Sequence, residues 1–193
     1  EAVVELKKSD RDLQGREVWH AVGTGRSLGA FNAFFKVDDT YQSYFDAQGV
    51  FPWIFDRKVS EGGYEFTQNY IYTQNQREDM LSAFYYARTI NYSTAVVGDV
   101  YTIETFMDGE LWPLRMQFMG KETIKLRNGK YKCLKFQPVV QEGRIFEGND
   151  DLNVWITDDG NHIPVLAQAQ VLVGSIKMEL ASYEGLAHPI AKE

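Results

Sequence analysis

The chain reads as an α+β protein that is mostly β. The expected architecture is a curved antiparallel sheet, a half-barrel or open barrel, with one or two short helices across its concave side. Three observations predict it. Apolar and polar residues alternate with period two along most of the chain, the alternating segments are joined by short turns rich in Gly, Asn and Asp, and only two stretches depart toward helical spacing. With 193 residues, 44% of them hydrophobic and 14% aromatic, the chain can bury a sizeable core without cross-links. No linker, repeat or low-complexity tract divides it, so a single domain over residues 1–193 is expected.

Alternation places strands over residues 16–24, 37–45, 51–59, 100–107 and 130–137, and over 152–157, 163–171 and 175–183. Tyr64, Phe66, Tyr70 and Tyr72 fall on one face of a further strand, as do Trp112, Leu114, Met116 and Phe118 of another. Asp46-Ala-Gln-Gly, Asp108-Gly109, Asn128-Gly129 and Asp158-Asp-Gly-Asn fit hairpin turns, because these residues tolerate positive φ. Ten or so short strands joined this way form an antiparallel meander.

Residues 79–90 put Leu81, Phe84 and Tyr85 on one helical face, with Asp79 as N-cap and Arg88 near the negative end of the macrodipole. Residues 27–36 put Leu28, Phe31 and Phe35 at helical spacing behind a Ser27 cap. The segment is short and contains Gly29, so it fits a helix and an aromatic-rich loop equally.

The net charge of −7 and scattered Lys and Arg exclude a nucleic-acid footprint and a polybasic membrane patch. No apolar run reaches the length of a transmembrane helix; residues 163–176 come nearest and are interrupted by Gln168, Gln170 and Gly174. Cys133 is the only cysteine, which excludes an intramolecular disulfide and reads as a packed strand residue rather than a nucleophile. His20, His162 and His188 lack the spacing of a metal site, so no metal and no cofactor are expected. Residues 173–176 lack the second glycine of a nucleophile elbow, and Gly23-Thr24-Gly25-Arg26 lacks the ending of a phosphate loop and reads as a strand-exit turn. Asp150-Asp151 and Asp158-Asp159 read as turn carboxylates. No catalytic constellation emerges, and the chain is read as a non-enzyme.

The remaining signal is aromatic. Phe31, Phe34 and Phe35, and the patch Phe51, Trp53 and Phe55, read first as core. Their sharper reading is the wall of a pocket for an apolar ligand, made adaptable by Met80, Met107, Met116, Met119 and Met178.

Several runs carry a family resemblance. They are Ala21-Val-Gly-Thr-Gly-Arg, Phe34-Phe-Lys-Val-Asp-Asp-Thr-Tyr-Gln-Ser-Tyr, Glu61-Gly-Gly-Tyr, Met80-Leu-Ser-Ala-Phe-Tyr-Tyr-Ala-Arg, Gly120-Lys-Glu-Thr-Ile-Lys and Lys132-Cys-Leu-Lys-Phe. Val154-Trp-Ile-Thr-Asp-Asp, Ile163-Pro-Val and Val173-Gly-Ser-Ile-Lys complete the set. In this order the chain resembles, over nearly its whole length, an exported-protein family known as domain of unknown function 3108. The resemblance implies a periplasmic protein of Gram-negative bacteria whose signal peptide has been removed, which also accounts for a start at Glu1 without Met. It implies a fold similar to the lipoprotein carriers of the bacterial envelope (LolA/LolB type), whose curved sheet covers a lipid-binding cavity. It brings no catalytic residues. Members of the family carry a further strand or hairpin before the segment that starts here, so one sheet edge is expected to be unpaired. The leading expectation is therefore a periplasmic, non-enzymatic binding protein for a lipid or other apolar, acyl-containing ligand in a half-barrel cavity, with Phe31, Phe34, Phe35, Leu81, Phe84 and Tyr85 as cavity wall. The alternative is an envelope module that docks a partner protein.

Overall fold

The computed structural model of the protein describes residues 1–72, 77–139, 152–170 and 175–193, with the side chain of Phe31 outside that set. Asp150-Asp151 also lies outside the described residues. The chain is mostly β; the described residues form two short helices and two antiparallel sheets that do not close into a barrel. The chain folds as two compact units, one formed by Glu1–Ala87 with Glu104–Trp112 and the other by Arg88–Ile103 with Pro113–Glu193.

The first sheet contains β1 (Ala2–Lys8), β2 (Val18–Arg26), β3 (Asp38–Asp46), β4 (Pro52–Glu61) and β5 (Tyr64–Ile71), in that spatial order. Sequence order and spatial order coincide, so it is the meander that the turn spacing predicts. The Asp46 turn forms as an Asx turn, with one carboxylate oxygen accepting from the backbone N–H of Gln48 (3.0 Å) and Gly49 (2.6 Å). Arg16 closes over the same buried carboxylate through its Nε and one terminal nitrogen. That guanidinium, aided by the two backbone donors, holds the Asp46 carboxyl below its usual range.

α1 is four residues long (Phe31–Phe34), and α2 runs Met80–Thr89. Asp79 caps α2 as expected, accepting from the N–H of Leu81 (2.7 Å) and Ser82 (2.9 Å), while Ser82 Oγ accepts from the N–H of Asp79. Ser27 does not cap α1. Its hydroxyl donates to Asn32 Oδ1 and accepts from Val37 N–H, tying the ends of the aromatic loop together instead.

The second sheet has the order β11-β10-β9-β8-β7-β6: β6 (Val100–Met107), β7 (Glu110–Leu126), β8 (Gly129–Pro138), β9 (Leu152–Thr157), β10 (Pro164–Gln170) and β11 (Ser175–Glu179). Asp108-Gly109 joins β6 to β7 with positive φ at both residues, as the sequence expects. In the second unit, Tyr92, Phe118, Leu134 and Phe136 form one buried cluster, and Leu126, Tyr131, Cys133, Trp155, Val165 and Leu166 form another. The C-terminal tail closes over the second cluster, with Leu180, Tyr183 and Ile190 packed against it and backbone bonds between Lys132 and Ala191 and between Lys130 and Glu193. No helix among the described residues is long and apolar enough to cross a membrane.

Candidate functional site

The candidate site lies on the first sheet. Antiparallel partners share a face, so the register assigns every side chain. Leu6 stands opposite Ala21, and Ala21 opposite Ser43; Val4 stands opposite Gly23, and Gly23 opposite Tyr41. Ala21, Phe45, Leu81 and Tyr85 form one buried cluster, with Trp19, Tyr41, Val50 and Phe84 packed against it. The face carrying Ala2, Val4 and Leu6 is therefore the face that α2 covers.

Gly23 brings the helix down onto the sheet: a Cβ there would stand 3.3 Å from Leu81 Cδ2. Two residues on, a Cβ at Gly25 would meet nothing within 4 Å, so the floor lies open. Beside it Val4 is 46% exposed and Leu6 40% exposed. The result is an apolar, glycine-floored strip along β1 and β2, flanking a helix that is itself packed down. The Gly23-Thr24-Gly25-Arg26 segment is thus not a strand-exit turn. It lies inside β2, which runs to Arg26, and its glycines serve close packing and an open floor.

The opposite face is polar. His20 stacks on Tyr44 with ring centroids 4.1 Å apart, its Nε2 pairs with Gln42 Oε1 at 3.0 Å, and burial lowers its pKa. A groove of about 230 Å³ on this side is lined by Glu1, Val3, Glu5, Val22, Thr24 and Arg26.

Beneath the helix start lies a buried acidic pair. Asp79 is fully enclosed and its second oxygen accepts from the Ser43 hydroxyl. Burial pushes its carboxyl up to about 6. Glu78 is buried, its Oε2 has no hydrogen-bond partner among the described residues, and burial with help from Asp79 pushes its carboxyl up to about 7. The Tyr72 hydroxyl, also buried and without a partner among the described residues, is shifted upward, chiefly by burial. The Glu78 backbone is pinned between Glu104 and Phe106, so its main chain is fixed.

Of the six expected wall residues, Leu81 and Tyr85 are buried against the sheet and Phe84 packs half-buried beside them. Phe35 lies over Gly62, where a Cβ would approach its ring to 2.4 Å. Phe34 is 89% exposed, and the side chain of Phe31 lies outside the described residues. The structure brings Leu81, Phe84 and Tyr85 together and leaves Phe34 in solvent. Trp53 and Phe55 are core, as the plainer reading had it. Cys133 is buried with its thiol pushed up to about 12 by burial, which makes it a packed side chain rather than a nucleophile. Asp158-Asp159 are more than solvated turn residues: Asp158 pairs with Lys121, and Asp159 accepts from Thr157 Oγ1, Asn161 N–H and Ala191 N–H.

The family described as protein of unknown function (DUF3108) matches residues 1–78 and 76–181. The chain belongs to that family. No curated protein and no solved structure matches it. For this family member the residues absent from the sequence reading are those of β1. Its alternation was there to find, with Val4 and Leu6 interleaved by Glu5 and Lys7, but it is a single short segment ending in two lysines.

Proposed function

We propose that this protein is an exported, periplasmic, non-enzymatic binding protein that holds a lipid or other acyl-type ligand on the α2-bearing face of its first sheet. The observation that carries the reading is the open strip beside a packed helix: Val4 and Leu6 exposed and Gly25 uncovered on the face that carries Ala21, Leu81 and Tyr85. A ligand laid there would bury apolar area at about 25 cal/mol per Å². The envelope location is carried only by the expectation that members of this family are exported and share the fold of the LolA/LolB-type carriers. Binding without chemistry is the simplest use of a strip that presents no nucleophile and no base. Glu78 and Asp79, the strongly shifted carboxyls, are enclosed or committed to capping the helix.

Mass spectrometry of an organic extract of the purified, periplasmically expressed protein tests this. A stoichiometric lipid, or saturable uptake of an added acyl probe, is expected. An extract without lipid from a protein that also refuses the probe would overturn the reading. A second reading, an envelope module that docks a partner protein, is favoured by Phe34, whose ring stands almost wholly in solvent. On that reading Phe34→Asp abolishes partner binding and leaves acyl-probe uptake unchanged.

A further inference from the structure

We propose that the loop between β2 and β3 is an interfacial anchor, which seats this chain on a lipid bilayer by inserting Phe34 and Leu28 at the boundary of headgroups and acyl chains. Nine consecutive residues, Ser27 to Phe35, carry no charge, and Arg26 and Lys36 bracket them. Every described residue from Leu28 to Lys36 is exposed. Leu28 and Phe34 have most of their area in solvent, and Phe35 nearly half. Phe35 lies over Gly62 of the β4–β5 hairpin, and Tyr64 of the same hairpin is also mostly in solvent. β2 and β4 end here while β3 and β5 begin, so these rings gather at one end of the first sheet.

The polar side chains of the loop favour lipid over a protein partner. It has two, and both are engaged in holding the loop together. Ser27 Oγ donates to Asn32 Oδ1 at 2.7 Å and accepts from Val37 N–H at 2.8 Å. A specific protein interface needs a hydrogen-bonding rim and about 800 Å² on each side. A nine-residue tip of this composition supplies neither. A bilayer asks for neither, because a few apolar side chains immersed to about 5–10 Å give reversible binding. Arg26 and Lys36 stand at the two feet of the loop, the level of the headgroup phosphates in that arrangement. Their charge is balanced. Asp38 lies 3.5 Å from Arg26, and Glu61 bridges to Val37, the residue after Lys36. The attraction is therefore apolar, in keeping with a chain of net charge −7 that lacks a polybasic patch.

The proposal does not depend on a ligand held by the α2-bearing face. Flotation of the full chain with phosphatidylcholine vesicles tests it, for the wild type, Phe34→Asp and Ile71→Asp. Ile71 is an exposed apolar residue at the other end of β5 and serves as control. The wild type should float with the vesicles, Phe34→Asp should partition about tenfold more weakly or worse, and Ile71→Asp should match the wild type. Raising the salt concentration should leave the wild-type partition unchanged. Cys133 is buried, so a polarity-sensitive thiol dye on Phe34→Cys reports that position alone. Its emission should shift to the blue on vesicles, and the same dye on Ile71→Cys should not shift. A chain that stays off the vesicles, equal flotation of all three, equal loss in both Asp variants, binding that needs anionic lipid and vanishes with salt, or an unshifted dye at position 34 would each overturn the proposal. In the first case, loss of a protein partner in Phe34→Asp would assign the loop to protein docking instead.

Discussion

The two units close their cores by different means. In the second, the C-terminal tail is laid over the cluster around Tyr131 and bonded to β8 at Lys130 and Lys132, so the apolar residues there are sealed. In the first, one ten-residue helix covers the sheet, and cover stops short of β1. The helix is held at its start by Asp79, a carboxylate taken fully out of water, beside Glu78, which is buried with one oxygen unpartnered among the described residues. The sealed unit is built for stability. The first unit gives up apolar cover at β1 and tolerates costly buried acids.

Five substitutions at four positions sharpen that contrast. The largest effect is expected from Tyr131→Ala, where a fully buried ring under the tail is lost; about 4 kcal/mol of stability should go, read by denaturant unfolding. Leu81→Ala should cost about 3 kcal/mol, since it removes the side chain seated over Gly23 and half the grip of α2 on the sheet.

Asp79→Ala removes the oxygen that accepts both capping bonds and the partner of Ser43, and should cost about 2 kcal/mol. Asp79→Asn keeps an acceptor without the buried charge and should cost less than half as much at neutral pH. Thermal melts of the two variants side by side check the difference.

Glu78→Gln should change the pH dependence more than the stability itself. A carboxyl whose pKa is raised to about 7 in the folded protein stays protonated there while the unfolded chain has already released its proton. The folded state then binds more protons than the unfolded one, so stability falls as pH rises from about 4.5 toward 7. Asp79, raised to about 6, adds to the same slope over the lower part of that window. Glu78→Gln should flatten the decline between pH 5 and 7, and a slope identical to the wild type would contradict the assignment.

Much of this was legible in the sequence, because hydrophobic alternation and turn residues are local signals. Most predicted strands form within two residues of their expected bounds, although the one expected over 175–183 ends at Glu179 and the one carrying Trp112 to Phe118 runs on to Leu126. Asp79 caps α2 through the expected carboxylate. What alternation does not encode is what lies opposite a face. It gave no reason to separate the strands into two sheets, to bury Trp53 and Phe55 yet expose Phe34, or to see that Gly23 exists to admit Leu81. The glycines of β2 looked like a turn because a glycine's backbone freedom is visible in sequence, whereas a missing side chain that lets a helix approach is not. β1 escaped notice for a related reason: a lone edge strand ending in Lys7-Lys8 looks like a solvated terminus until its partner is placed.

The central claim is that the α2-bearing face of the first sheet, and not the polar face, takes the apolar ligand. Val3 and Val4 are neighbours in sequence, similarly exposed, and on opposite faces, with Val3 in the groove of the polar side. The most direct measurement is titration of the wild type, Val3→Asp and Val4→Asp with a fluorescent acyl probe. The account predicts that Val4→Asp weakens binding by about tenfold or more, because a carboxylate would be desolvated under the ligand, while Val3→Asp binds as the wild type does. Loss of binding in Val3→Asp with Val4→Asp unaffected, or equal affinity in all three, would contradict it.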